Sequence, residues 1–407
     1  MTSIIRLYRN AYGGLSTPSW MLALVMFINR SGSMVVPFLS VYLTGSLKFT
    51  IEQAGIILTA FGIGSMAGAL LGGWLSDKLS PFLVQVLSLV AGGCLFLVLA
   101  HITTYYLLLA GILLLSVISE CLRPANSASI ALYARPENVT RSFSLNRMAI
   151  NLGFSIGPAI GGLLASISYY WIFIADGLTC IVAGLFFYLY FRQLPARQST
   201  PAVQQSVSEK SPYLDIPFLL FLVFVTCYAI SFTQFFFTLP LYYREVYHLS
   251  EIQIGLLLGF NGLLVFLFEM IIVHRLERKT IIWHQVVLGT LLCGFSFVLL
   301  NLFSAPVILI IAMVLLTFSE IFAMPFMVTY TVKRAGERNR GSYLGLYSMA
   351  FAAAFILAPF LGTKVISYAG FATLWWSAGV LSLFTAGGFY LTMNEKKVTE
   401  PLKLPSN

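Results

Sequence analysis

The chain has 407 residues, of which 58% are hydrophobic and 10% charged, with a formal net charge of +9. A soluble globule is about half apolar and about a quarter charged, so this composition excludes an ordinary water-soluble domain. The positive balance alone would suit a nucleic-acid binder, but the placement of the charges along the chain removes that reading.

Runs of about 20 apolar residues mark bilayer spans, and twelve are predicted. The opening stretch, Met1–Trp20, is basic and mixed in polarity, and is expected to be a short cytoplasmic leader with no cleavable signal. Span 1 is predicted near 18–44 and holds Asn29 and Arg30; span 2 near 51–74 ends in the sequence GGWLSDK, Gly72–Lys78; span 3 covers 81–102. Span 4, near 105–134, contains SECLRPANSAS, which sets Glu120, Arg123, Pro124 and Asn126 where lipid is the expected solvent. Span 5, near 142–166, carries Arg147, Asn151 and the glycine-rich NLGFSIGPAIGG, Asn151–Gly162; span 6, near 169–192, carries Asp176. The Pro-, Ser- and Gln-rich stretch RQLPARQSTPAVQQSVSEKSP, Arg192–Pro212, reads as an exposed linker. Six more spans follow, near 213–243 (Gln234), 251–273 (Asn261, Glu269), 281–303, 305–332 (Glu320, Met324), 341–366 and 369–393. The expected organisation is an N-terminal bundle over 1–192, a cytoplasmic linker over 193–212 and a C-terminal bundle over 213–407.

With the N-terminus inside, most of the 24 basic residues fall in inner loops and tails, while Lys48, Arg244 and Lys364 fall outside. This is the positive-inside bias, and it places both termini in the cytoplasm. Anionic lipid headgroups account for the charge with no nucleic acid. The five cysteines lie in apolar segments at no metal-like spacing, as small buried hydrophobes do. There is no phosphate loop after a strand, no His/Cys metal spacing and no nucleophile elbow. These patterns argue against a nucleotide-driven pump or a membrane enzyme.

The two sets of spans match each other. At an offset of 200, Gln53 and Gly55 meet Gln253 and Gly255, Asp77-Lys78 meets Glu277-Arg278, and Ser119-Glu120 meets Ser319-Glu320; at 201, Met148-Ala149 meets Met349-Ala350, and Pro158 meets Pro359. Internal repeats of this kind build rocking transporters, whose substrate sites lie near the membrane midplane.

Three stretches resemble the major facilitator superfamily, over nearly the whole chain. Gly72–Lys78 is similar to the family's signature after span 2, with Gly73 permitting close helix approach and Asp77 and Lys78 forming a latch or simply a polar turn; Ser80, Pro81 and Phe82 depart from the glycine and two basic residues usual there. Gly153, Gly157, Pro158, Gly161 and Gly162 resemble the motif typical of the proton-coupled drug and metabolite antiporter branch, whose four-apart glycines bring helices together. In span 4 the family's arginine usually stands well before the proline, whereas Arg123 immediately precedes Pro124; LRPAN also faintly resembles span 4 of the proton-coupled peptide transporters. The resemblance implies an all-α membrane protein with twelve transmembrane helices in two pseudo-symmetric six-helix bundles, working by alternating access as a monomer in a bacterial inner membrane. It implies a small-molecule substrate, protons and membrane lipids as partners, and no cofactor beyond the proton gradient.

Each charge at bilayer depth costs about 2.5–3.5 kcal/mol on insertion scales, so intramembrane ionisable residues are functional candidates. Glu120 and Arg123, at i and i+3, share a helix face. Burial disfavours an ionised carboxyl and a nearby cation favours it; Glu120 is expected to carry the proton and Arg123 to tune it, the alternative being a self-neutralising structural pair. Arg30 and Arg147 lie on spans that line the N-terminal half of the cavity in this fold and would close the network. Glu320, repeat mate of Glu120 but without an arginine, reads as a second proton site, a cation contact or a hydrogen-bonded neutral carboxyl. Glu269 reads as a gate or a snorkelling residue, and Asp176 as a capping or packing residue. Asn29, Asn126, Asn151, Gln234, Asn261 and Met324 among many aromatics would line a pocket for an amphipathic solute. The expected function is proton-driven export of a small amphipathic compound. The alternatives are a proton-coupled importer of peptides, siderophore-like metabolites or organic anions, and a non-transporting sensor or lipid-handling protein on the same scaffold.

Overall fold

Hydrocarbon offers backbone groups no hydrogen-bond partners, so an apolar chain of this kind must close its own backbone bonds in helices. The computed structural model describes residues 14–135, 139–194, 212–277, 281–335 and 340–394, and among these every long element is a helix and none is a strand. In chain order they are α1 (Thr17–Ser31), α2 (Val35–Val41), α3 (Ile51–Lys78), α4 (Pro81–Leu99), α5 (Tyr105–Glu120), α6 (Leu122–Tyr133), α7 (Val139–Ile167), α8 (Tyr169–Phe191), α9 (Ile216–Phe237), α10 (Leu239–Glu245), α11 (Glu251–Glu277), α12 (Ile282–Leu302), α13 (Val307–Ala335) and α14 (Arg340–Met393). Among the described residues eleven segments are long and apolar enough to cross a membrane. The last, Tyr343–Met393, has 51 residues and breaks at Gly370, whose φ of 77° and ψ of 174° suit glycine alone. It therefore holds two spans, which brings the total to the expected twelve. The leader through residue 13 and the linker from 195 to 211 lie outside the described residues.

Local sequence explains the starts and the breaks. Three spans open on an oxygen-bearing cap followed by proline: Ser16 accepts from the Ser19 N–H at 3.2 Å, Ser80 from Leu83 at 3.2 Å and Asp215 from Phe218 at 3.4 Å. The cap satisfies an orphan donor, and the proline has no N–H to satisfy. Pro124 removes the N–H that would bond to the carbonyl of Glu120 and crowds it; the helix of span 4 is accordingly interrupted at Cys121, between α5 and α6. Span 1 is interrupted in the same way, at Gly32–Met34 between α1 and α2, where Pro37 removes the N–H that would bond to the Ser33 carbonyl.

The chain gathers into two compact units. The first comprises 1–38, 63–204 and 250–259; the second comprises 39–62, 205–249 and 260–407. In the first, α4 packs on α8, and α1 packs on α7 and α8. The inner part of α3 meets α5 through glycines: a methyl group at Gly64 would stand 2.6 Å from the Leu113 carbonyl, and one at Gly72 would stand 2.5 Å from Cys121 Cα and 2.9 Å from Pro124 Cγ. In the second unit, α9 packs on α14, and α12 packs on both α13 and α14. Trp375, fully buried, stacks on Phe297 at 5.0 Å between ring centres.

Candidate functional site

In the first unit the break after α5 holds an ion pair. Arg123 Nη2 donates to Glu120 Oε2 at 2.5 Å; the acid's side chain is 11% exposed and the arginine's 60%. Glu120 is thus held at the edge of the packed interior, with its partner on the accessible side. Arg30 ends α1 and is close enough for the charges of both Glu120 and Arg123 to act on it. Its guanidinium lies over the Phe154 ring at 5.4 Å, and its Nε is buried with no hydrogen-bond partner among the described residues. One acid therefore faces two bases, in a setting where each unpaired charge costs several kcal/mol. Arg147 is exposed on α7, and Asn151, one turn on, is half-buried.

The glycine-rich stretch of α7 shapes the wall behind Arg30. A methyl group at Gly153 would stand 2.6 Å from Arg30 Cβ, one at Gly157 3.1 Å from the Arg30 carbonyl, and one at Gly161 2.9 Å from Met34 Cβ. The four-apart glycines thus bring the α7 backbone against the end of α1 and the start of α2.

The amides extend this region. Asn126 Nδ2 donates to Asn146 Oδ1 at 3.3 Å, both buried, and Asn29 Nδ2 meets Cys180 Sγ at 3.2 Å. Gln85, fully buried on α4, donates to the Ala125 carbonyl at 3.2 Å and to the Ser129 hydroxyl. Sequence reasoning singled out neither Asn146 nor Gln85; the signal was their position inside predicted spans.

The remaining candidates lie in the second unit. Asn261 donates to Thr317 Oγ1 at 2.9 Å, Glu269 is buried, and Glu320 and Met324 are half-buried on α13. Next to Glu320, the Ser319 hydroxyl shares a hydrogen bond with the buried Tyr228 hydroxyl at 3.1 Å. Gln234, expected in the pocket, is 2% exposed and binds two helices together: its Nε2 donates to the Ala358 carbonyl at 3.1 Å, and its Oε1 accepts from Thr238 at 2.8 Å. Both ends of its amide are engaged by protein.

The stretch after span 2 differs from expectation at one glycine. Among the described residues nothing lies within 4 Å of where a Gly73 side chain would stand; its neighbour Gly72 is the one packed against Cys121 and Pro124. Successive helical residues point about 100° apart, so only one of the pair can face α5. Lys78 is exposed, with Nζ 4.2 Å from the centre of the Trp74 ring, and the side chain of Asp77 lies outside the described residues.

A second ionic cluster was not expected. Asp215, the cap of α9, accepts from Arg334 Nε at 2.7 Å and Nη2 at 2.8 Å, and from the Tyr343 hydroxyl at 2.9 Å. Burial works to raise the pKa of this carboxyl, but the hydrogen bonds from Arg334 and Tyr343 and the arginine's charge outweigh it and hold it below the usual carboxylate range. The detectable signal was an aspartate before a proline at the head of an apolar run. Among the described residues no three His, Cys, Asp or Glu side chains form a group that could hold a metal.

A family model described as Major Facilitator Superfamily matches residues 20–359. The chain is 25% identical over 401 residues to a Na(+), Li(+), K(+)/H(+) antiporter of Planococcus maritimus, covering 90% of this chain and 93% of that one. It is 23% identical over 259 residues to the quinolone resistance protein NorA of Staphylococcus aureus (strain MRSA252), covering 62% and 66%. Among solved structures, a POT family transporter in complex with 5-aminolevulinic acid superposes with a TM-score of 0.78 at 16% identity, over 94% of this chain and 96% of that one, a likeness of fold.

Proposed function

The chain belongs to the major facilitator superfamily, an integral membrane transporter and not an enzyme, and from that footing we propose that it exports a small amphipathic compound in exchange for protons. The single observation that carries this reading is the buried Glu120 carboxylate paired to the accessible Arg123, with Arg30 near enough to act on both. Proton uptake on Glu120 cancels the anion that holds Arg123, and solute that displaces Arg123 changes the affinity of Glu120 for its proton. The two loads are thereby linked, as exchange requires. The antiporter and drug-resistance relatives support the direction. In this reading the two six-helix halves of the repeat alternate access as one monomer in a bacterial inner membrane, with both termini cytoplasmic. Asp77 and Lys78 gate the cytoplasmic side, Glu320 is a second acid of the transport path, and Asn29, Asn126, Asn151, Asn261, Glu269 and Met324 contact solute.

A second reading, proton-coupled import of a peptide, siderophore-like metabolite or organic anion, is favoured by one observation: Glu120 faces two arginines, leaving a local excess of positive charge for an anionic group.

Proteoliposomes with an imposed pH gradient test both. A lipophilic cationic dye, a dipeptide, an organic anion and potassium ion are each assayed for movement with or against protons. The expected result is the dye moving against protons, abolished by Glu120→Gln in a protein that remains folded; potassium moving against protons without the dye rejects the amphipathic substrate. Movement of the dipeptide or anion with protons selects the importer. Undiminished pH-dependent transport by Glu120→Gln rejects Glu120 as the carrier.

A further inference from the structure

The interruption of span 1 leaves the first N–H groups of α2 without helical acceptors. Asp176, from the body of α8, supplies them: Oδ1 accepts from the Met34 N–H, which it shares with the Gly32 carbonyl at 2.7 Å, and Oδ2 from the Val35 N–H, both carboxylate bonds at 3.0 Å. The residue is 3% exposed, and among the described residues no cation pairs with it. A buried carboxylate is costly, and here its two oxygens are given to backbone donors of another helix.

The same face of α8 grips the break twice more. Thr179 fills the notch at Gly32, where a methyl group would stand 2.7 Å from Thr179 Cβ, and Cys180 takes the hydrogen bond from Asn29 at 3.2 Å. A second helix, α7, presents Gly153, Gly157 and Gly161 to residues 30–34. Residues 29–35 are thus fixed from two helices, and Arg30 stands inside that clamp. The titratable groups whose charges reach this corner are Cys180 on α8, which interacts with Asp176 and Arg30, and Glu120 and Arg123 of span 4, which interact with Arg30. If the break healed into regular helix, each residue added would turn the preceding ones by about 100° against those that follow, and Arg30 would leave its place.

We propose that Asp176 is a positioning residue: by capping the restart of span 1 it fixes where Arg30 stands relative to Glu120, and so sets the proton affinity of the carrier. This rests on the reading of Glu120 as that carrier. It gives a task to an acid that does not contact Glu120 and that capping alone would leave as scaffold.

The test is infrared difference spectroscopy of the purified protein between acidic and alkaline pH. The carboxylic C=O band of Glu120 is identified by its loss in Glu120→Gln. In Asp176→Asn, whose amide offers one acceptor oxygen and turns an NH2 group toward the second donor, the pH at which this band appears is expected to move. Arg30→Gln is expected to move it in the same sense, and the double variant no further than Arg30→Gln alone. If Asp176→Asn fails to fold, Val35→Pro removes one of the two capped N–H groups with a residue suited to a helix start, and should give a smaller shift in the same sense. A band unmoved in folded Asp176→Asn, or in folded Val35→Pro where the asparagine variant is lost, overturns the positioning role while leaving Glu120 as carrier. A spectrum in which Glu120→Gln removes no band overturns the carrier reading and this proposal together.

Discussion

In span 4 the helix is interrupted beside Glu120, whereas in span 10 it runs unbroken past Glu320 from Val307 to Ala335. The two acids are repeat mates, each preceded by serine. Pro124 stands four residues after Glu120 and frees that residue's own carbonyl; Pro325 stands five after Glu320 and frees the carbonyl of Ile321 instead. Three residues after each acid the contrast is larger. Arg123 is 60% exposed on its side chain, while Ala323 is wholly buried against α12, where a methyl group at Gly289 would stand 2.9 Å from Ala323 Cβ. The second repeat has no room for an arginine there. It forms its ion pair at a helix end, between Asp215 and Arg334, where the first repeat joins Ser16, Ser19 and Ser142 through their hydroxyls. An acid kept by duplication takes its role from the packing three residues away.

The most severe way to break this comparison is to impose the first pattern on the second site. Ala323→Arg forces a long cation into the α12–α13 contact, adding overpacking of about 1–3 kcal/mol to a buried charge of about 2.5–3.5 kcal/mol. The expected outcome is loss of monodisperse folded protein on size-exclusion chromatography. A folded Ala323→Arg protein with near-native thermal stability would mean that packing does not exclude the pair.

Next in size is Arg334→Leu, which strands a carboxyl whose side chain is 10% exposed. The loss of a buried hydrogen-bonded partner is expected to cost about 1–3 kcal/mol at neutral pH. The sign of its pH dependence follows from the lowered pKa of Asp215. A carboxyl held below its unfolded value contributes stability above about pH 4, and that contribution is lost as pH falls through the folded value. The gap in unfolding temperature between the native chain and Arg334→Leu should therefore be widest near neutrality and narrow below about pH 4. A gap that is constant with pH would make the cluster a packing feature and not an ionic one.

These contrasts mark what could be read from residues alone. The twelve spans, the repeat and the interruption at Pro124 follow from apolar run length, matched positions and a missing N–H, all local properties. Arg30, Glu120 and Arg123 announce themselves because a charge in hydrocarbon is costly. Gln85 and Asn146 did not, since an amide in a span raises a weaker alarm. Nor does sequence separate Gly72 from Gly73, because the distinction is which of two adjacent residues faces α5. The engagement of Gln234 between α9 and α14 was hidden for a related reason: lipid is as apolar as a helix neighbour, so a span carries little polarity contrast from which to read its inward side. Pro37, four residues after Ser33, bears on the break at Gly32–Met34, but the acid that holds it lies more than 140 residues further along the chain.

The smallest expected effect sharpens the comparison from the first repeat. The positions matching the Asp215 cluster, at the start of span 1, the end of span 4 and the start of span 5, are joined by hydroxyls: Ser16 Oγ donates to the Tyr133 carbonyl at 3.0 Å and lies 2.8 Å from Ser19 Oγ, which is 3.0 Å from Ser142 Oγ. Ser19→Ala removes the middle of this chain but leaves Ser16 bonded to Tyr133, so only Ser142 loses its partner here. A neutral hydrogen bond contributes about 0.5–1.5 kcal/mol net, and no member of the chain titrates between pH 3 and 8. Ser19→Ala is therefore expected to lower stability by about 1 kcal/mol or less, equally at neutral and acidic pH, in the same thermal measurement that reads Arg334→Leu. If the two variants cost the same and respond to pH alike, charge adds nothing at this corner. If they diverge as expected, the helix ends of the second repeat are tied more firmly at neutral pH than those of the first, and the first repeat, which carries Glu120, has the looser ends.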